Sequence, residues 1–275
     1  MTDLTLDVHT SPMVELPNGG LFSPTTSTLI LGETEAALVD TQYLPDDLDT
    51  VSKRIEESGR RLTTIFVTHG HFDHYFGLQT LLARFPEAKA MATAAVAADI
   101  AQNLEGHRKH VERFFHPGTT VDNTVVPQAL AGDSFTVDGV QIAVIELPQA
   151  DIAPTAAVHI PSIRAVIAGD AVYNGINPFL AASGAAEWPK WVESVGIIAG
   201  LNPTTVVAGH KQPGSADDPG AIEFTRAYLA EFIDAVRTQP DTRSLVGHMQ
   251  SKFPDLGNPT ALLASAATAM KAKKK

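Results

Sequence analysis

The sequence contains no cysteine. Disulfide bonds, a thiolate nucleophile and a cysteine-ligated zinc ion are therefore excluded, and any metal ion must be held by histidine, aspartate, glutamate or asparagine. Positive charge is also scarce, because 20 Lys and Arg residues stand against 31 Asp and Glu residues and give a formal net charge of -11. Such a chain repels the phosphates of nucleic acids, so we expect no nucleic-acid partner.

Long apolar runs are missing as well. No stretch approaches the roughly 18 residues that a membrane-spanning helix requires, and the first residues show no basic segment followed by an apolar block. We therefore expect a cytoplasmic protein with no membrane partner. The 275 residues are 44% hydrophobic, which is enough for a substantial core. Because no linker rich in Pro, Gly or Ser divides them, we predict one domain over residues 1–275.

Apolar spacing predicts the secondary structure around the motifs. Residues 28–31 and 36–39 are apolar runs joined by a Gly-containing turn, which is typical of a β-hairpin. Apolar positions three and four residues apart predict helices over 45–58, 77–85, 219–237 and 259–270. Another helical segment covers part of residues 92–116 and places His107 and His110 on one face. No carboxylate accompanies these two histidines, so we interpret them as a solvated face rather than a metal site.

The most informative stretch is THGHFDH, residues 68–74, in which three imidazoles and one carboxylate fall within seven residues. It follows the apolar run 62–67, and a buried strand that ends in a Gly-containing turn brings such side chains to a surface. Neutral imidazoles beside a carboxylate suit zinc, iron or manganese. The stretch therefore predicts a metal site.

Two later strand ends have a similar form. Asp170 follows Gly169 after the apolar residues 166–168, and His210 follows Gly209 after residues 206–208. Each motif alone is weak, because an apolar strand followed by Gly and a polar residue is common. Together with residues 68–74 they converge on one site.

In this order the motifs resemble those of the metallo-beta-lactamase superfamily. Its H-x-H-x-D-H signature is matched by His69, His71, Asp73 and His74. Its later Gly-Asp and Gly-His motifs are matched at Asp170 and His210, and its acidic residue at the end of an early strand is matched by Asp40. The resemblance covers about residues 20–215. It implies an α+β fold, a four-layer αββα sandwich with the metal site at one edge of the two sheets. The helices over 219–270 would follow this core.

The chain departs from the family at the third histidine of the metal site. The stretch ADIAPT, residues 150–155, stands where the family has a G-H-T-P-G type of turn, and it places Asp151 at the histidine position. Aspartate is an oxygen ligand that zinc, iron and manganese accept. The alternative is a turn aspartate that leaves one metal position weak or empty.

The resemblance implies two divalent metal ions, zinc in the first place and iron or manganese as alternatives. One would be held by His69, His71 and Asp151, and the other by Asp73, His74, Asp170 and His210. Three carboxylates and a bridging hydroxide would neutralise the two ions, whereas two carboxylates would leave one positive charge. We therefore expect the metal ions to be weaker Lewis acids and the site to prefer neutral substrates to anionic ones.

Such a site implies hydrolysis. A bound metal ion lowers the pKa of its water from 15.7 to about 7, which gives metal-bound hydroxide at neutral pH. We predict a dinuclear hydrolase that cleaves an ester, lactone or amide bond of a small, mainly apolar organic substrate. Asp73 is predicted to pass a proton to the leaving group, and Tyr173 to hydrogen-bond the reacting oxygen. Substrate contacts are predicted for the neighbouring residues Phe72, Tyr75, Asn174 and Lys211.

Two other functions stay open at the level of the sequence. Two histidines and one aspartate around a single iron would suit a mononuclear oxygenase on the same fold. A non-catalytic metal-binding protein is the third class, although at least six ligand-type residues argue against it. The predicted partner is a small-molecule substrate, and a homo-oligomer is left open.

Overall fold

The computed structural model describes residues 4–274, so residues 1–3 and Lys275 of the predicted domain lie outside it. The strands are β1 (Thr5–Thr10), β2 (Val14–Glu15), β3 (Leu21–Phe22), β4 (Thr26–Leu31), β5 (Glu35–Val39), β6 (Arg61–Phe66), β7 (Lys89–Ala92), β8 (Gln128–Ala129), β9 (Ser134–Val137), β10 (Val140–Leu147), β11 (Thr155–Ile160), β12 (Ala165–Ile167), β13 (Tyr173–Asn174), β14 (Thr205–Val207) and β15 (His210–Lys211). The helices are α1 (Pro45–Ser58), α2 (Phe72–Tyr75), α3 (Leu78–Arg84), α4 (Ala94–Phe114), α5 (Trp188–Gly200), α6 (Gly220–Thr238), α7 (Thr242–Lys252) and α8 (Pro259–Lys273).

Two large sheets form the centre of the structure. The first has six strands in the order β1-β4-β5-β6-β7-β8, and the second has five in the order β14-β12-β11-β10-β9. The predicted hairpin is confirmed, because β4 and β5 pair antiparallel with Thr28 opposite Val39. Strands β5, β6 and β7 are parallel, as are β12 and β14. The carboxyl ends of these parallel strands carry the predicted ligand motifs.

Apolar side chains alternate between the two faces of each central strand. In β6, Phe66 packs into the core between the sheets, whereas its neighbour Ile65 packs on the opposite face. In β12, Ile167 packs between the sheets and Val166 packs outward. Strands buried on both faces read as continuous apolar runs rather than as an alternating pattern, which is why their sequences resemble one another.

Helices cover the outer face of each sheet. The apolar core between the first sheet and its helices includes Leu48 and Val51 of α1, Leu81 of α3 and Ile100 of α4. In the second sheet, the apolar side chains of the outer face pack against α5, α6, α7 and α8. The order of layers is therefore helix, sheet, sheet, helix, and the predicted αββα sandwich is confirmed.

The helix predictions agree with the structure in most places. The helix predicted over 45–58 is found with the same bounds, and the segment 92–116 contains the single helix α4. Strand β1 and helix α7 were not predicted, since the polar residues within them obscure the apolar period. In the described part of the chain, none of the helices combines the length and the apolarity needed to cross a membrane.

The core between the sheets provides a test of the architecture. Phe66 is fully buried and its ring stacks on Phe135 of β9, with 5.7 Å between the ring centroids. Replacing Phe66 with Ala should lower the free energy of unfolding by about 3 to 5 kcal/mol, because it removes apolar contacts and leaves a cavity. Urea denaturation measures this change. The control is Leu263→Ala, because Leu263 is 55% exposed and its change should stay within about 0.5 kcal/mol. Equal effects of the two substitutions would contradict the described packing.

Candidate metal centre

Strand ends from both sheets meet at one edge of the sandwich. The turn after β6 carries His69 and His71, and the single-turn helix α2 carries Asp73 and His74. The second sheet contributes Asp170 after β12. The two sheets are joined at this edge, because the backbone of His69 pairs antiparallel with that of Thr155 at the start of β11. Ligands far apart in the sequence are thereby brought together.

The seven predicted ligands form two adjacent clusters. Within each cluster, the potential ligand atoms lie within 4.8 Å of one another. The first cluster contains His69, His71, Asp151 and Asp170, and the second contains Asp73, His74 and His210. All except His71 are buried. The structure thus brings together every residue that was predicted as a ligand, and the binding of metal to them stays a prediction.

Asp170 contacts both clusters. Its Oδ2 lies 3.7 Å from His69 Nε2 in the first cluster and 3.0 Å from His210 Nε2 in the second. Its Oδ1 lies 3.2 Å from His74 Nε2. The sequence assigned Asp170 to the second site, whereas in the structure it belongs to the first cluster and also contacts the second.

Neighbouring groups orient the imidazoles. His74 Nδ1 lies 2.8 Å from Asp40 Oδ2, and His210 Nδ1 lies 2.8 Å from the carbonyl oxygen of Pro24. Since a carboxylate or carbonyl oxygen accepts the hydrogen bond, each Nδ1 carries a hydrogen, and in the neutral imidazole Nε2 then has the lone pair that a metal ion needs. Thr68 fixes Asp40 in turn, because its backbone N–H and its hydroxyl both donate to the carboxylate at 2.8 and 2.7 Å.

Of the nine buried side-chain atoms that have no hydrogen-bond partner among the described residues, three belong to the ligand clusters. They are His69 Nε2, His74 Nε2 and Asp170 Oδ1, and all three point into the clusters. A buried polar atom without a partner costs about 1 to 3 kcal/mol. Metal coordination would satisfy all three at once, and nitrogen and carboxylate oxygen are the donors that zinc accepts. The residues present therefore fit divalent metal ions.

Asp151 lies where a ligand to the first metal ion would be needed. Its side chain is 1% exposed, and its Oδ2 lies 2.9 Å from His71 Nδ1. Burial lowers the pKa of His71, but the carboxylates of Asp151, Asp73 and Asp170 together outweigh burial and raise that pKa to about 9. Burial raises the pKa of Asp151 above its ordinary value, although His71 acts in the opposite direction. The two side chains form an acid–base pair in which the carboxylate is buried.

A cavity of about 620 Å³ opens above the clusters. His71, Asp73, Asp151 and His210 reach it from the metal site. Most of the remaining wall is apolar and comprises Leu16, Leu21, Phe22, Phe72, Phe114, Phe179, Ala181, Ala182, Ala261 and Ala264. Such a cavity has the size and character of a site for a small organic molecule.

The predicted substrate residues divide into two groups. Phe72 and Tyr173 line the cavity. The hydroxyl of Tyr173 donates to Asp170 Oδ2 at 3.0 Å, so it contacts a predicted ligand, and its contact with substrate stays a prediction.

The structure does not bring Tyr75, Asn174 or Lys211 to the cavity wall. Tyr75 is fully buried behind the wall, and Asn174 donates from its side chain to the carbonyl oxygen of Ala216. The ammonium of Lys211 is buried and paired with Asp217 at 2.6 Å. Proximity in sequence to the ligands therefore does not by itself bring a side chain to the cavity wall.

Other parts of the cavity were not predicted. His107 and His110 both line it. His107 is partly buried, which corrects its interpretation as part of a solvated face, whereas His110 is exposed as expected. Thr25 was not predicted either; it lies behind the wall, and its hydroxyl donates to Asp73 Oδ2 at 2.7 Å. Helix α8 supplies Thr260 to the wall. None of these residues stands in a recognisable motif, so only their three-dimensional placement identifies them.

Comparison with known proteins agrees with this geometry. The model of the metallo-beta-lactamase superfamily matches residues 20–210. A 68-residue segment is 35% identical to the uncharacterized protein YobT of Bacillus subtilis. That match spans 25% of this chain and 29% of YobT, which is less than a third of the relative.

Solved structures share the fold at low sequence identity. A metallo-beta-lactamase family protein from Thermus thermophilus is 20% identical with a TM-score of 0.64, over 98% of this chain and 93% of that one. The DIM-1 metallo-beta-lactamase is 19% identical with a TM-score of 0.61, over 83% of this chain and 96% of that one. A metallo-beta-lactamase from Pontibacter korlensis is 17% identical with a TM-score of 0.60, over 84% and 99% of the two chains.

The glycine before His210 provides a test of the centre. A Cβ atom at Gly209 would overlap Asp170 Oδ1 and the backbone of Gly169. Replacing Gly209 with Ala should therefore displace Asp170 and weaken zinc binding by about 10-fold or more, the effect expected when support of a ligand is lost. Zinc titration with a competing chelator measures the affinity. The control is Gly196→Ala, since a Cβ atom there meets open space. Unchanged zinc affinity in Gly209→Ala would contradict the proposed role of Asp170.

Proposed function

This chain belongs to the metallo-beta-lactamase superfamily, and from that premise we propose that it is a dinuclear metal-dependent hydrolase. Its substrate would be a small, neutral, mainly apolar molecule with an ester, lactone or amide bond. The observation that carries the proposal is the pair of ligand clusters in contact through Asp170 beneath a largely apolar cavity. Zinc is the proposed metal, with iron or manganese as alternatives.

Bound metal ions supply Lewis acidity, which lowers the pKa of water and polarises the carbonyl group under attack. The protein contributes orientation and proton transfer. Thr25 donates to Asp73 Oδ2, which leaves Oδ1 to accept a proton and pass it to the leaving group. Tyr173 donates to Asp170 and thereby holds that carboxylate between the clusters. Phe22, like the rest of the apolar wall, limits the access of bulk water to the reaction.

The charge of the cavity favours a neutral substrate. The described residues that line it include neither lysine nor arginine. Lys211, which could have held a substrate carboxylate, is paired with Asp217 outside the cavity. Asp151 adds a third carboxylate to the ligand set. An anionic substrate would therefore find no lysine or arginine among the described lining residues and less positive charge at the metals.

One observation favours a second candidate. The set of His69, His71 and Asp151 has the two histidines and one carboxylate of a mononuclear iron oxygenase site. The second cluster, with Asp73, His74 and His210, has no role in such an enzyme. Metal analysis of the purified protein distinguishes the candidates, because the hydrolase should hold two zinc-like ions per chain and the oxygenase one iron.

Hydrolysis itself is tested by a screen of lactones, aryl esters, thioesters and β-lactams with added zinc, manganese or iron. We expect turnover of neutral lactones or esters. Replacing Asp73 with Asn should reduce that turnover by about 100-fold or more, because general acid–base catalysis typically contributes this much. The control is Asp46→Asn, which changes an exposed carboxylate on α1. Wild-type protein that is loaded with metal but inactive on the whole panel would favour the non-catalytic class.

The effect of Asp151 on charge is tested by replacing it with His. The variant should gain activity on anionic esters relative to neutral ones by about 10-fold, because one unit charge several ångströms away contributes on the order of 1 to 3 kcal/mol. The probes are p-nitrophenyl hemisuccinate and p-nitrophenyl butyrate. The control is Asp133→His, which makes the same charge change at an exposed position. An unchanged ratio in Asp151→His would refute the charge argument.

A further inference from the structure

Helix α4 places one histidine in the cavity wall with a fixed orientation. His107 lines the cavity, and its Nδ1 lies 2.8 Å from the hydroxyl of Tyr75. Tyr75 itself is fully buried and does not line the cavity. It directly follows His74, so the segment that carries the predicted ligands also holds the imidazole of His107.

The hydrogen bond defines what His107 presents to the cavity. The phenol of Tyr75 has no other described hydrogen-bond partner, so donating its hydrogen to His107 Nδ1 satisfies the buried hydroxyl. A neutral imidazole that accepts at Nδ1 carries its hydrogen on Nε2. No described residue hydrogen-bonds to Nε2. Since Nδ1 points at a residue behind the wall, Nε2–H is the donor left for the cavity.

The surroundings of His107 keep it neutral. Partial burial lowers its pKa, and the nearby His71 lowers it further, whereas Asp99 opposes both effects. A neutral donor suits a neutral oxygen acceptor, and it does not add a positive charge that would attract anions. This agrees with the absence of lysine and arginine from the described lining residues.

His110 provides a contrast on the same helix. It also lines the cavity, one turn further along α4, but its ring stacks on Phe114 with 4.3 Å between centroids. It is exposed, and no described residue hydrogen-bonds to its ring. Its imidazole is therefore not held in one tautomer by the protein.

We propose that His107 is a substrate-binding residue whose Nε2–H donates a hydrogen bond to an oxygen acceptor of the substrate, and that Tyr75 is its positioning residue. The inference rests on the proposed hydrolase function and narrows its substrate class. His107 is not part of either ligand cluster, so the acceptor assigned to it is an oxygen that the metal ions do not hold. The preferred substrate is then a neutral ester or lactone with an additional carbonyl, ether or hydroxyl oxygen.

The first experiment reads the tautomer and needs no turnover. In protein labelled with ¹⁵N-histidine and loaded with zinc, the nitrogen signals of His107 should show hydrogen on Nε2 and an unprotonated Nδ1 at neutral pH. Tyr75→Phe should abolish this preference, because the donor to Nδ1 is lost, while His110→Gln should leave the His107 signals unchanged. Hydrogen on Nδ1 of the wild-type protein would overturn the proposal.

The second experiment measures the recognition of the acceptor. The probes are p-nitrophenyl hexanoate and three analogues in which an ether oxygen replaces one chain methylene at successive positions. At one position or more, the oxygen should lower KM for the wild-type enzyme by about 3- to 10-fold relative to hexanoate, as expected for one net hydrogen bond. His107→Phe should remove this preference, so that KM for the ether analogues rises to the value for hexanoate.

Conservative variants separate hydrogen bonding from packing. His107→Gln should retain the preference, because its amide N–H lies near the former position of Nε2, whereas His107→Asn should not, because its shorter side chain reaches only the position of Nδ1. An identical oxygen preference in the wild type and His107→Phe would overturn the inference. Failure of the wild type to hydrolyse any of these esters would instead count against the proposed function, and the tautomer measurement would still decide the orientation of His107.

Discussion

The contacts of the Asp170 carboxylate connect the two sheets at their functional edge. This side chain is fully buried, and it lies within 3.7 Å of His69 and His74 in one segment of the chain and of His210 in a distant one. Carboxylates buried to this degree are strongly unfavourable unless they are paired with positive charge. Divalent cations would provide that charge and would also satisfy the unpartnered ligand atoms. The geometry of the edge therefore suits the binding of metal ions.

Support for this carboxylate extends into the fold. The backbone of Gly209 passes so close to Asp170 that no side chain fits there. Tyr173 donates to Asp170 from the side of the cavity, while Asp40 and Thr68 hold His74 from within the first sheet. Strand pairing fixes all of these positions before any ligand arrives. A metal site that is organised in this way loses little entropy when it binds its ions.

The sequence was sufficient to predict which candidate ligands lie together, but not which residues line the cavity. Buried strands that end in Gly and a polar residue are local patterns, so Asp170 and His210 could be predicted, and the place of Asp151 followed from its order in the chain. Which way a side chain points depends on strand twist and on packing between distant segments. For this reason Lys211 was expected at the substrate and lies in a pair with Asp217, whereas His107 was expected in solvent and lines the cavity.

The central claim is that the two clusters hold two metal ions with Asp170 between them and Asp151 on the first. A crystal structure of the zinc-loaded protein, with anomalous scattering recorded on both sides of the zinc edge, tests it most directly. The account predicts two zinc peaks, one bound by His69, His71 and Asp151 and one by Asp73, His74 and His210, each in contact with Asp170. A single peak, or a first zinc ion without Asp151 among its ligands, would contradict it.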